Sequence, residues 1–140
     1  PSQSSAASDV YKRQDPHDLK MDSQGRLFVA DRGNNRIQIF SQEGQLLDIW
    51  TQFGRPSGLW IDADDTLYVA DGMSGEQWNR GWERGIRIGD ARTGYVTEFI
   101  PDYEIPNGSG IEFLASDRNG NIFAGQVGRQ RFEKYIRVRP

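Results

Sequence analysis

The chain repeats itself at a fixed distance, and this limits its fold more than any other feature does. Pro16 to Phe40 reads PHDLKMDSQGRLFVADRGNNRIQIF, and Pro56 to Asp71 reads PSGLWIDADDTLYVAD. Laid together without gaps, Pro16 meets Pro56, Leu19 meets Leu59, Asp22 meets Asp62 and Leu27 meets Leu67. The run Val29, Ala30, Asp31 meets Val69, Ala70, Asp71 at the same offset of 40 residues. A weaker third copy follows at an offset of 95, with Asp117 on Asp22, Gly120 on Gly25, Phe123 on Phe28, Arg131 on Arg36 and Tyr135 on Phe40. A unit this short cannot bury an apolar face alone, so copies must stack on one another.

Within the first copy, DLKMD, RLFVAD, RIQIF and LLDIW are short β-type segments, several of them alternating. SQG, RGNN and SQEG separate them and supply turn chemistry. No segment reaches the length a helix needs before Gly or a turn cluster interrupts it. Four strands in about forty residues predict a propeller blade. The fold class is therefore all-β: a partial β-propeller of four-stranded antiparallel blades, two complete and one incomplete. The blades run over about 15–55, 56–108 and 109–140, the last with segments for three strands. Propellers close with roughly four or more blades, so the missing half of the propeller is expected beyond this sequence. Open blade sides and strand edges invite association.

Composition narrows the function classes. Of 140 residues, 36% are hydrophobic and 26% charged, and the net charge is −3, which argues against nucleic acid and anionic membrane surfaces as partners. No apolar run approaches the ~18 residues of a membrane span. The absence of cysteine excludes disulfides and thiolate metal sites. The first fourteen residues, PSQSSAASDVYKRQ, stand outside the repeat and lack the apolar core of a signal peptide. They read as a disordered linker or as non-native sequence: SSAASDVYKRQ resembles adaptor-derived sequence translated at the ends of assembled environmental, metagenomic reads.

Antiparallel order fixes which connections share a face. The a–b turns (DSQG, DADD, DRNG) and the c–d turns (SQEG, DARTG) lie on one face, and the b–c loops and d–a links lie on the other. Nearly all irregular sequence falls on this second, loop face, where binding residues are expected. It includes the loop 72–85, with Trp78 and Trp82 among Arg80, Arg84, Glu76 and Glu83, and the link PDYEIPNGSG. The tryptophans mark a recognition surface, or else fold back to cap the blade. His17, Ser57 and Glu112 recur five residues before the repeated Asp, at the start of strand a, and should converge near the central channel. Arg36 and Arg131 occupy equivalent places after the b–c loops. Two guanidinium groups there suit a carboxylate-bearing ligand, a peptide or small molecule, unless they only pair with Asp31 or Glu133. DADDT and DRNGN lack the Gly and Glu of an EF-hand and read as hairpin turns. Asp31 and Asp71 should accept backbone hydrogen bonds from the loop that follows each. RQRFEKYIRVRP reads as a solvated, basic edge strand, with Arg137 and Arg139 on one side.

GRLFVADRGNNRIQIF resembles an NHL repeat, strongly in the first copy, well in the second as far as Asp71 and more weakly in the third. The resemblance implies a six-bladed propeller closed by pairing strands from the two chain ends. PHDL with His17, and VADRGNNRIQIF with Arg36, further resemble the peptidyl-α-hydroxyglycine α-amidating lyase group. That resemblance implies a periplasmic or secreted enzyme with zinc on three histidines, one from each of three blades, making His17 a metal ligand. This chain departs from the pattern, with one histidine and with Ser57 and Glu112 at the equivalent places. The sequence thus supports a binding propeller with His17, Arg36, Trp78, Trp82, Glu112 and Arg131 around its site. A truncated lyase-like metalloenzyme, with zinc or calcium in the full-length protein, and a protein-interaction scaffold are its rivals.

Overall fold

The computed structural model describes residues 14–103 and 110–139. The atypical tail lies outside the described residues except for Gln14, whose side-chain amide donates to Gln38 Oε1. Residues 104–109 of the second d–a link also lie outside them.

Alternating apolar residues between turn clusters form strands throughout. The first blade holds β1 (Pro16–Met21), β2 (Leu27–Asp31), β3 (Arg36–Phe40) and β4 (Leu46–Trp50), antiparallel in chain order. The second holds β5 (Gly58–Ile61), β6 (Thr66–Asp71), β7 (Gly85–Asp90) and β8 (Val96–Pro101). The third holds β9 (Ile111–Ser116), β10 (Ile122–Gln126) and β11 (Arg131–Tyr135). These are two complete blades and one of three strands, as the repeat predicts. The basic C-terminal stretch is strand only as far as Tyr135; beyond it the Arg137 amide donates to Asn121 Oδ1 (3.0 Å), drawing the chain to the third a–b turn instead of along β10.

The repeated Asp has a local task. Asp22 Oδ1 accepts from the amides of Gln24 and Arg26, Asp62 Oδ1 from Asp64 and Thr66, and Asp117 Oδ1 from Asn119 and Asn121. Each carboxylate closes its own hairpin turn. The calcium-like strings are therefore turns, and among the described residues no group of three His, Cys, Asp or Glu stands ready for a metal ion.

The core forms between blades. Phe28, Ala30, Ile37, Ile39 and Trp50 of the first blade pack on Leu59, Leu67, Val69 and Ala91 of the second, with Phe53 of the link stacked beside Trp50 at 6.0 Å. Tyr68, Ala70, Ile86 and Ile88 of the second blade pack on Ile111, Leu114, Ile122 and Ala124 of the third. Tyr68 is the repeat equivalent of Phe28, so the periodicity records one interface used twice. The faces at the two ends have no neighbour among the described residues: Leu19 is 53% exposed where its equivalent Leu59 is 1% exposed. The inner strands β1, β5 and β9 lie side by side. Gly58 permits this approach, since a Cβ there would meet the Glu112 carbonyl oxygen at 2.5 Å.

A polar clasp joins the first two blades on the turn face. Asp65 adopts φ 59° where the other two copies place Gly25 and Gly120, a conformation that disfavours a side chain. Its carboxylate accepts from the Ser23 amide (2.9 Å) and the Ser23 hydroxyl, and these bonds offset the backbone cost. The Ser23 hydroxyl, then the Ser23 amide, hold the Asp65 carboxyl below the usual carboxylate range. A lowered folded-state pKa gives stability that is present above the unfolded value of about 4 and is lost as pH falls through the folded value. Ser23→Ala should therefore lower the melting temperature at pH 7, and the gap from the unmodified chain should narrow as pH falls below about 4. An unchanged gap in melting curves down to pH 2 would remove the clasp from the explanation.

Candidate functional site on the loop face

Three blades contribute to one cluster beside the inner strands. His17 at the start of β1 places Nδ1 2.6 Å from the Ser57 carbonyl oxygen, so that nitrogen carries the proton and donates. Its Nε2 faces Glu112 Oε2 at 3.8 Å, and its ring stacks near Phe113 with centroids 6.3 Å apart. Arg32, from the 3-10 turn Arg32–Asn34 between β2 and β3, brings Nη1 to 3.6 Å from the same Glu112 oxygen. Antiparallel order puts the start of every first strand on one face, which is why His17, Ser57 and Glu112 meet. Ser57 and Glu112 are buried, and the Ser57 Oγ has no hydrogen-bond partner among the described residues.

Arg36 and Arg131 lie outside this cluster. Arg36 is the cross-strand partner of Asp31, and its Nε donates to Asp31 Oδ2 at 2.6 Å. Asp31 also accepts from the Asp15 amide and the Asn34 side chain, so its partners lie mostly outside the backbone of the loop that follows it. Arg131 pairs with Glu133, the second of the two outcomes the sequence leaves open. Both arginines brace the ends of their own blades.

The tryptophan loop folds back over two buried arginines. Trp78 lies against the Arg55 guanidinium, with the ring centroid 4.9 Å from Cζ, and Trp82 lies equally far from Arg87. Arg87 is held on its other side by Phe99 at 4.5 Å. Each indole still presents surface to solvent, at 43% and 37% exposure. Asp71 anchors the arrangement. Its oxygens accept from the Met73 and Ser74 amides, as expected, and also from the Ser74 hydroxyl, the Arg55 amide and Arg87 Nη1. Gly54 is required beside it, with φ 79° and an added Cβ only 2.3 Å from Asp71 Oδ2. Arg55 and Arg32 are the residues that sequence reasoning passes over. Arg55 sits in the d–a link with no counterpart in the other copies. Arg32 stands four residues before the more familiar Arg36.

A recess of about 950 Å³ opens elsewhere, between the second and third blades, lined in part by Asp64, Tyr68, Ile88, Ile122, Tyr135 and Arg137. Trp50 and Phe53 fill the corresponding space in the first interface, whereas their equivalents are Ile100 and the exposed Tyr103. The recess is a packing deficit and holds none of the binding residues expected from sequence, His17, Arg36, Trp78, Trp82, Glu112 and Arg131.

The zinc that the lyase resemblance implies does not fit the donors present. The three equivalent strand starts offer one imidazole, one hydroxyl and one carboxylate, and Arg32 already approaches that carboxylate. A catalytic zinc takes three protein ligands.

Comparison with known proteins agrees with the fold. A family model described as the NHL repeat matches residues 14–40. Human NHL repeat-containing protein 3 is 53% identical over 86% of this chain, and the chain spans 35% of that relative's length. Among solved structures, one titled a streptogramin B lyase structure superposes with a TM-score of 0.62 at 16% identity, over 85% of this chain and 36% of its own. The RRP9 WD40 repeats superpose with a TM-score of 0.59 at 13% identity, over 87% and 38%. Likeness at such identity shows the β-propeller fold alone.

Proposed function

We propose that this chain of NHL-type blades belongs to a six-bladed ring whose loop face binds a peptide or small carboxylate-bearing molecule. One observation carries the proposal: His17, Arg32, Ser57 and Glu112, drawn from three blades, converge on the face that also bears the 72–85 loop. The opposite face offers short turns whose repeated carboxylates, Asp22, Asp62 and Asp117, are spent on their own backbones. A lyase-like reaction would need metal donors that the chain does not supply at the equivalent positions. Isothermal titration of the chain against a panel of short peptides and small dicarboxylates tests the proposal. A binder should lose at least tenfold in affinity on His17→Ala and on Trp78→Ala, and keep its affinity on Asp64→Ala at the turn face. Affinity unmoved by both loop-face changes overturns the proposal.

The half-exposed Trp78 and Trp82 favour a second reading, a scaffold whose protein partner rests on the indoles. In that case Trp78→Ala weakens binding while His17→Ala leaves it intact.

A further inference from the structure

We propose that Arg32 and Arg55 form a carboxylate subsite on the loop face, beside the inner strands. The inference deepens the loop-face reading and rests on it.

Arg55 is only 7% exposed, yet its guanidinium forms no ion pair among the described residues. Nη1 donates to Asn35 Oδ1 (3.0 Å), the Trp78 ring covers one side, and Nε is buried with no hydrogen-bond partner. A buried cation without a counter-charge is costly, and arginine does not escape the cost by losing its proton. Arg32 shares the unbonded Nε but is paired loosely with two acids. Its Nε is buried and makes no hydrogen bond; the nearest acids are Asp15 Oδ2, 3.8 Å from Nε, and Glu112 Oε2, 3.6 Å from Nη1. Burial, and then the nearby Arg32 charge, push the Arg55 pKa down against the weaker opposing pull of Asp15 and Asp71.

The groups that face this pair leave the demand unmet. Asp71 uses one oxygen on Arg87 and Ser74 and meets only the backbone amide of Arg55. Glu112 is placed between Arg32 and His17 at distances too long for hydrogen bonds. Ser57 Oγ, fully buried and unpartnered, adds a neutral donor from the link that carries Arg55. With Nη1 committed to Asn35, the remaining edge of Arg55 presents Nε and Nη2 as parallel donors. A carboxylate matches that fork with two oxygens. It can come from a free small acid or from the C-terminus of a polypeptide.

The test uses the 140-residue chain labelled with ¹⁵N-arginine, following the Nε–H resonances of Arg32 and Arg55. Sodium acetate is titrated against sodium chloride at constant ionic strength, then N-acetyl-trialanine against its C-terminal amide. Saturable shifts of both resonances with acetate, absent with chloride, are expected, with at least a tenfold loss of affinity in Arg55→Lys. Should that variant fold poorly, Arg32→Lys reads the same loss from the more exposed partner. Tighter binding of the free-acid peptide than of acetate identifies a polypeptide end as the source; equal binding identifies a small acid. Shifts that chloride reproduces, or resonances that acetate does not move, overturn the subsite. In that event the loop-face reading stands or falls separately, on whether Trp78→Ala and His17→Ala still weaken the binder found by titration.

Discussion

Asp71→Ala is expected to cost about 3–5 kcal/mol of unfolding free energy, the largest loss from any single carboxylate in the chain. Asp71 is fully buried at the end of β6, and five donors converge on it. Removing it leaves Arg87 as a buried, unpaired cation between Trp82 and Phe99. It also strips two loop amides and the Arg55 amide of their acceptor. Domains of this size hold roughly 5–15 kcal/mol in total, so the variant loses about a fifth of its stability or more. Asp71→Asn keeps most acceptor geometry without the charge and should fall between. Urea denaturation of the three chains gives the order directly. A loss under about 0.5 kcal/mol for Asp71→Ala, within the range of an ordinary surface change, would mean that Arg87 finds another partner and that Asp71 does not organise the loop.

Phe28→Ala is expected to cost a similar amount, about 3–5 kcal/mol, through lost burial and the cavity left behind. Phe28 is wholly inside the interface between the first two blades, edge-on to Trp50 at 5.5 Å. Its repeat equivalent, Phe123, lies on the open side of the third blade, stacked on the exposed Phe132 with Lys134 Nζ 5.3 Å from its ring. Phe123→Ala should cost about 1 kcal/mol or less. One substitution made at two equivalent places thus separates the contribution of the side chain from that of the neighbouring blade. Equal losses at both places would show that stability resides inside the blades.

The four-stranded blade architecture was legible because a fixed offset preserves strand phase. Leu19 on Leu59, or Phe28 on Tyr68, reports the same face of the same strand. The convergence of His17, Ser57 and Glu112 was legible for a related reason, since antiparallel pairing leaves only one end at which first strands can begin. The side-chain partners were not legible. Arg36 looks available in the sequence, but the short turn between β2 and β3 makes it the direct cross-strand partner of Asp31, and the ion pair follows. Trp78 and Trp82 look like free indoles on a polar loop, and their seats, Arg55 and Arg87, come from a different link and strand. Arg55 carries no repeat signal at all. The one hint is its place between Gly54, which makes room for Asp71, and Pro56, which starts the next copy.

The adjacency of β1, β5 and β9 has a dynamic consequence. The inter-blade contacts run along these inner strands, whereas β4 and β8 turn mostly exposed residues outward. Amide protons should therefore exchange with solvent in a radial order, slowest on β5 and β9, which carry buried residues, and faster at the rim and on β1 at the open end, because local opening begins where few buried contacts must break. The Ser57 carbonyl that holds His17 lies beside β5, so the imidazole is anchored to the part of the chain that opens last.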